Sequence, residues 1–264
     1  MILQKTAREL WLMTLVYLLI MQAILLPAIA LWPDLNIIGQ QLKPIVLMAK
    51  ILKSVLFREL IGALDQYPDY YALQAFFKGG NFCGAAAAIL MGTGLVARER
   101  ESQTIEFLLS RPVTPSRILF AKFSVAAIAV TAPIYLVAWS GVPLSHWIVG
   151  EPLSFSATTV AATHCSIFVL SILSLTTLCS VVFRLQAHAA AAAGLFIVIQ
   201  CALYLIQTAR KYSYLRVADI EIYGPIMKGD LHMGDLFGSI QIWLLLGSLI
   251  LYLIADRLLR RIAL

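Results

Sequence analysis

Six long apolar runs, almost free of charge, constrain this chain more than any other feature of its sequence. A helix needs roughly 20 apolar residues to cross a hydrocarbon core of about 30 Å. Only 13% of the residues are charged, against about a quarter in a typical soluble domain. The sequence therefore predicts an all-α integral membrane protein, one transmembrane domain over 1–264 with six transmembrane helices. The predicted spans are 11–32, 79–97, 119–138, 157–183, 187–208 and 236–255.

The distribution of basic residues predicts the orientation. The N-terminus, the segment 98–122, the turn near Arg184 and the C-terminus hold 11 of the 20 lysines and arginines, against five acids. The longer connections on the other side hold nine residues of each sign. Because short basic flanks stay cytoplasmic, both termini are expected in the cytoplasm of a multi-pass cell (inner or plasma) membrane protein. Anionic lipid headgroups balance the net charge of +6, so no nucleic-acid partner is expected.

Amphipathic segments flank the first span. Before it, Lys5, Arg8 and Glu9 lie among apolar residues, which predicts an N-terminal interfacial helix, with an unstructured tail as the alternative. After it, the segment 42–66 alternates apolar residues with basic ones at helical spacing. Lysines such as Lys50 are costly at mid-bilayer, so this segment is predicted to be an amphipathic external helix between spans 1 and 2.

Small residues concentrate in the second and fifth spans. Gly84, Ala88 and Gly92 lie in the second, and a run of alanines followed by Gly194 lies in the fifth. Hydrophobic association is weak in lipid, and small side chains let helix backbones approach closely. We therefore expect both spans to be buried in the bundle, with these residues as helix-packing or pathway candidates. The alternative is that alanine serves only as a good helix former.

The motifs of common enzyme classes are absent from the sequence. It contains no GxxxxGK[ST] phosphate loop, no HExxH, no CxxC and no GxSxG. The four cysteines all fall within predicted spans, so no disulfide framework is implied. No catalytic residue, metal site or cofactor bound by this chain is expected.

His164 lies deep in the fourth span, beside Cys165. Ionisable groups at membrane depth are candidates for functional sites, and His with Cys suits a soft metal. Adjacent residues on a helix point about 100° apart, which disfavours chelation by this pair alone. A neutral, hydrogen-bonded His164 is the favoured interpretation, and a substrate or metal role is the alternative.

The segment 98–117, RERESQTIEFLLSRPVTPSR, combines dense charge with an internal helix signal. Ile105, Leu108 and Leu109 form the apolar side of a two-turn helix that Pro112 ends. Thr114 then precedes a proline in the pattern of an N-cap and a first helical residue. A short helix is thus predicted crosswise between spans 2 and 3. It suits docking in a partner's groove, and packing on lipid headgroups is an equal alternative.

Residues 99–123, ERESQTIEFLLSRPVTPSRILFAKF, resemble the cytoplasmic loop of type-2 ATP-binding-cassette (ABC) transporter permease subunits. The resemblance consists of an acidic pair, a Thr-x-Glu step, a Leu-Leu-Ser turn, a Pro-Val pair and a later lysine. The matching residues are Glu99, Glu101, Thr104, Glu106, Leu108, Leu109, Ser110, Pro112, Val113 and Lys122. One position departs from the family pattern, because Gln103 stands where these permeases usually have glycine. Continuous helix, instead of a glycine break, is therefore expected at Gln103.

The resemblance implies a cytoplasmic coupling helix over 103–110 that binds a separate ABC ATPase subunit. Charged residues would complement the partner at the rim, and Phe107 with Leu108 would be the buried anchors. The implied partner-binding residues are Arg100, Glu101, Thr104, Glu106, Phe107, Leu108 and Arg111. The resemblance also implies two ATPase copies that carry ATP and Mg, and a second permease chain, with a homodimer favoured over a heterodimer.

The function implied by the resemblance is ATP-driven export or transmembrane signalling, with hydrolysis on the partner. The alternative is a self-contained secondary transporter or intramembrane enzyme centred on His164. A membrane anchor without transport activity is a third possibility. The apolar residues of the spans suggest an apolar or amphipathic cargo, but any helix bundle uses the same residues for packing. The sequence alone therefore identifies no substrate.

Overall fold

The computed structural model describes residues 2–48, 62–103, 113–206 and 208–262, with the backbone alone at residues 2 and 42–48. Every regular element in these ranges is a helix. Six of the described helices are long and apolar enough to cross a membrane, as predicted, and they are called spans 1 to 6. They are Leu3–Gln41, Tyr67–Glu101, Pro115–Val149, Phe155–Val182, Gln186–Leu205 and Met233–Ile262.

Span 1 belongs to one unbroken helix, Ile2–Met48. The prediction of a separate N-terminal interfacial helix is therefore wrong, because residues 2–10 continue directly into the span. Lys5 supplies the physical reason: its ammonium contacts Glu99 of span 2, so this end is tied to the bundle. The same helix includes residues 42–48 of the predicted external helix, and the residues 49–61 lie outside the described residues.

Span 2 changes its helical geometry several times. An α-helix, Tyr67–Ala72, is followed by a π-helix, Leu73–Cys83, and then by a second α-helix, Gly84–Thr93. After a turn at 94–96, a short helix, Ala97–Glu101, ends the span. The π-helix is a rare geometry that occurs frequently at functional sites. Span 2 is thus the most irregular of the six described spans.

Span 4 forms the centre of the bundle. It packs against spans 2, 3, 5 and 6, and most of its residues are buried. Several of its hydroxyl side chains bond back to their own helix: Ser174 donates to the carbonyl of Leu170 at 3.1 Å, and Thr177 to that of Leu173 at 2.7 Å. These polar groups are therefore satisfied in an apolar environment.

Span 5 lies at the edge of the bundle. Only Ala189, Ala193 and Tyr204 of its residues are buried, while Leu195 and Val198 are well exposed. The prediction that span 5 is buried is therefore wrong for a single chain. The reason is that lipid accommodates exposed apolar side chains, so an alanine run need be covered on one side only.

A shorter helix, Ile220–Lys228, closes one end of the bundle, and we call it the cap helix. It packs against span 4 and against Tyr67–Ala72 of span 2. The Nζ atom of Lys228 lies 2.7 Å from the Oδ2 atom of Asp69. Because span 2 runs from Tyr67 to Glu101, the cap helix and Glu99 lie at opposite ends of the molecule.

Candidate functional site

Three charged side chains meet at the end of the bundle opposite the cap helix, and we call this group the Glu99 junction. The Oε1 atom of Glu99 lies 3.0 Å from the Nζ atom of Lys5 on span 1 and 3.0 Å from the Nζ atom of Lys122 on span 3. Lys122 also donates to the carbonyl of Leu95 at 2.9 Å. Glu99 is 7% and Lys122 4% exposed. The junction therefore joins spans 1, 2 and 3 through charges that are largely shielded from water.

Burial makes the two central charges of the junction dependent on each other. Removing an ion from water costs several kcal/mol, and only a close partner of opposite sign offsets this cost. Lys5 lies at the rim, with about half of its side chain exposed. Glu99 and Lys122 thus constrain the relative positions of spans 2 and 3 more than they add to stability.

A single serine of span 4 supports the helix break that precedes Glu99. The backbone N–H groups of Val96 and Ala97 each donate to Ser180 Oγ at 2.9 Å, and the Ser180 hydroxyl donates to the Thr93 carbonyl at 2.7 Å. Backbone groups released by a break must find new partners when they are buried. Ser180 supplies those partners and holds the short helix against span 4.

Arg100 and Glu101, two of the predicted partner-binding residues, contact the turn between spans 4 and 5. Arg100 Nη1 donates to the Val181 carbonyl at 2.7 Å, and Glu101 Oε2 accepts from the Gln186 N–H at 3.1 Å. Only residues 183–185 separate the two helices, close to the gap expected between the predicted spans 157–183 and 187–208. These contacts hold the residues just before the coupling segment against the chain's own bundle. We define the coupling segment as 103–112.

Gln103 has a left-handed backbone conformation, with a φ of 58°. The short helix ends at Glu101, so the expectation of continuous helix through Gln103 is wrong. The chain turns here in the conformation that glycine adopts most easily, although a side chain is present. The other predicted partner-binding residues lie outside the described residues: Thr104, Glu106, Phe107, Leu108 and Arg111.

Comparison with known proteins decides the family. A family model described as ABC-2 family transporter protein matches residues 3–218. The chain belongs to this family. It is therefore a multi-pass membrane protein and an ABC transporter permease, as the resemblance of residues 99–123 implied. Searches of curated proteins and of solved structures found no match.

In this ABC-2 permease, both ring nitrogens of His164 have hydrogen-bond partners. Nε2 lies 2.8 Å from the Val217 carbonyl, which only accepts, so Nε2 carries the proton. The side-chain nitrogen of Gln241 lies 3.4 Å from Nδ1. No group of His, Cys, Asp and Glu that could hold a metal occurs among the described residues. Both ring nitrogens thus contact groups of the chain itself.

Asn81 in the π-helix of the permease holds the segment that leads into the cap helix. Its side-chain nitrogen donates to the Ala218 carbonyl at 2.7 Å, and its oxygen accepts from the Tyr223 hydroxyl at 2.9 Å. Burial raises the pKa of Tyr223 well above its ordinary value, so the phenol keeps its proton. Asn81 and His164 thus bind neighbouring carbonyls of one connection.

The small residues of span 2 lie at close helix contacts. A Cβ atom on Gly84 would be 2.7 Å from a methyl of Val169, and one on Gly92 would be 2.0 Å from Thr176 Oγ1. Ala88 is fully buried in the same helix. Gly194 in span 5 differs, because nothing described lies within 4 Å of the place of its Cβ atom. Close packing therefore requires a small residue at Gly84 and Gly92 of span 2, but not at Gly194.

Sequence reasoning missed the roles of Lys5, Lys122 and Ser180. Lys122 offered a signal, because it lies inside the predicted third span, where a cation needs a partner. No local sequence pattern identifies Glu99 as that partner, since Glu99 is on another helix. Ser180 looked like any other hydroxyl residue of an apolar span.

Proposed function

We propose that this chain is a permease subunit driven by a separate ATPase, and that the Glu99 junction transmits movement from the coupling segment to the spans. The observation that carries this proposal is the position of the junction beside both ends of that segment. Glu99 lies four residues before it, and Lys122, ten residues after it, is paired with Glu99. Displacement of the segment would therefore move spans 2 and 3 together, and Lys5 would extend the movement to span 1.

Contacts on the other side of the short helix extend the same path. Arg100, Glu101 and Ser180 connect it to span 4 and to the turn before span 5. An ATPase that pulls or pushes the coupling segment would thus act on spans 1 to 5 through contacts of a few ångström, and on span 6 through Arg260, which donates to Ser116 of span 3 at 2.6 Å. Movement of packed helices as units is a common mode of conformational change.

The proposed assembly contains two permease chains and two ATPase subunits, which bind ATP and Mg. Association of a second permease chain is supported by spans 5 and 6, which leave most of their apolar faces exposed in the single chain; a homodimer is proposed in preference to a heterodimer. In this proposal the Glu99 end, and both termini, lie on the cytoplasmic side of an inner or plasma membrane, which the basic residues near Glu99 support. The work performed is export or transmembrane signalling. His164 is not favoured as a transport or catalytic site, since both of its nitrogens are hydrogen bonded.

The test is co-purification with the ATPase subunit and measurement of its ATP hydrolysis. Phe107→Ala removes the proposed anchor, so association should fall at least tenfold while membrane insertion is kept. The matched control is Phe120→Ala, because Phe120 lies on span 3 with 62% of its surface exposed. Undiminished association and hydrolysis in the Phe107 variant would contradict the proposed coupling.

A further inference from the structure

Span 2 exposes a narrow stripe along an otherwise buried helix. Lys78, Phe82, Ala86 and Leu90 follow one another at four-residue spacing and are all exposed, and Arg98 continues the stripe after the turn. Residues four apart lie on one face of a helix. The stripe therefore runs from Lys78 to Leu90 along one face of the span, and Arg98 is the exposed cation of the short helix beyond the turn.

Two cations stand at the two ends of this surface. Lys78 and Arg98 are 20 residues apart; a straight α-helix of that length would be about 30 Å long, the thickness of a hydrocarbon core, and the π-helix up to Cys83 and the turn at 94–96 make the separation shorter. Among the described residues, no carboxylate lies within 4 Å of either side chain, whereas Lys122 and Lys228 each have one. Lys78 and Arg98 thus present one unneutralised positive charge on either side of the apolar part of span 2.

An apolar groove lies between these two charges. It has a volume of about 300 Å³ and is formed by spans 1 and 2, with Leu12, Val16 and Ile20 facing Ala86 and Leu90. This volume holds roughly ten groups of the size of a water molecule or a methylene. No charged residue lines the groove. Its chemistry suits a hydrocarbon chain.

The groove is within reach of either cation. Along span 2 it extends from Cys83 to Met91. Lys78 is five residues from one end, roughly 8 Å, and Arg98 is seven residues from the other, roughly 10 Å. A molecule with its head at either charge can therefore place its tail in the same groove.

We propose that this groove binds an anionic amphiphile as the cargo of the transporter. Its acyl chain occupies the groove, and its phosphate or carboxylate head pairs first with Arg98 and, after ATP-driven movement, with Lys78. A helix of a second chain fits less well, because it would bury two cations without supplying anions. This inference rests on the proposed function and specifies its substrate class.

Binding tests the head-group part of the proposal. The full chain in phosphatidylcholine nanodiscs is titrated with spin-labelled phosphatidylglycerol and with phosphatidylcholine of the same chains. We expect about fivefold preference for the anionic lipid per cation engaged. The preference should fall to near one in the Lys78→Gln, Arg98→Gln double variant. It should persist in the control Lys211→Gln, a change of an exposed lysine outside the groove. A preference that survives the double variant overturns the proposal.

Filling the groove tests the acyl-chain part. Ala86→Trp places a large side chain on the groove wall, so binding of both probe lipids should weaken about tenfold. The control is Val198→Trp on span 5, where the side chain is 63% exposed and does not line the groove. Equal lipid binding in the two variants would show that the groove is not the site.

Transport separates cargo from a resident lipid. The permease and its ATPase are reconstituted in vesicles, and movement of fluorescent phosphatidylglycerol between leaflets is followed with and without ATP. ATP-dependent movement that the double variant loses supports the proposal. ATP hydrolysis with an associated ATPase but without lipid movement overturns the cargo role alone. Loss of ATPase association overturns the proposed function, and the cargo role with it.

Discussion

At the residue scale, burial converts charge into a constraint on position. Glu99 pairs with two lysines of other helices, and one of them, Lys122, is buried even more deeply than Glu99. A charge in water can pair with any counter-ion, but a charge held away from water needs the partner that the fold supplies. Movement that separates Glu99 from Lys122 is therefore costly, so the two helices are expected to move together.

Removal of one partner should reveal this dependence. Glu99→Gln leaves the Lys122 ammonium buried without an anion, and we expect the free energy of unfolding to fall by about 3 kcal/mol. Unfolding in mixed detergent micelles measures the change. The control Glu9→Gln, whose carboxylate is 3.7 Å from Lys5 and partly exposed, should cost less than about 1 kcal/mol.

A double variant then separates the effect of the ion pair on stability from its effect on ATPase coupling. Glu99→Leu with Lys122→Met replaces the ion pair by apolar side chains, which is often neutral for stability. We expect this variant to regain most of the lost stability but not the ATPase coupling. Equal instability of the single and double variants would show that pairing is not the cause.

The left-handed backbone at Gln103 leads to a second prediction at this scale. A non-glycine residue in this conformation costs roughly 1 kcal/mol, because Cβ crowds the neighbouring carbonyl. Gln103→Gly should therefore raise the free energy of unfolding by about 1 kcal/mol. The neighbouring control, Ser102→Gly, has a φ of −83° in the native chain and should bring no gain. An equal gain from both changes would contradict a local conformational cause.

At the scale of helices, small residues decide how closely spans 2 and 4 pack. Thr176 donates to the Ala88 carbonyl at 3.1 Å, and its side chain occupies the space beside Gly92. In lipid, such close contacts and interhelical hydrogen bonds replace the hydrophobic drive that associates helices in water. The span 2–span 4 contact also positions the break that Ser180 supports.

Two matched glycine changes test this packing. Gly92→Ala would place a Cβ atom 2.0 Å from Thr176 Oγ1, so we expect a loss of about 1 to 3 kcal/mol in unfolding free energy. Gly194→Ala meets no described atom within 4 Å and should be neutral or slightly stabilising, since alanine favours helix. Thermal unfolding in detergent measures both. Similar losses would show that close packing is not the reason for Gly92.

At the scale of the whole molecule, the six described spans predict that both termini lie on one side of the membrane. The excess of basic residues near Glu99 predicts that this side is cytoplasmic. In a cysteine-free background, Lys211→Cys should react with an impermeant maleimide in intact cells. Arg257→Cys should react only after lysis. Both native residues are exposed, so access is not limited by the fold. The opposite labelling pattern would reverse the orientation.

The sequence by itself determined that the chain has six apolar spans, that the connection between the fourth and fifth is short, and the family. Span length and apolarity are local properties, so they are readable without contacts. The motif in residues 99–123 is likewise contiguous. This motif predicts the coupling segment from neighbouring residues alone, without the contacts of Arg100 and Glu101.

Tertiary structure alone decided which residues meet. Lys5 and Lys122 converge on Glu99 from other helices, and no local pattern links these positions. The exposure of span 5 was equally hidden, because lipid and protein interior are both apolar and hydrophobicity does not distinguish them. The left-handed backbone at Gln103 directly follows a short helix that contacts of Arg100 and Glu101 hold against the bundle.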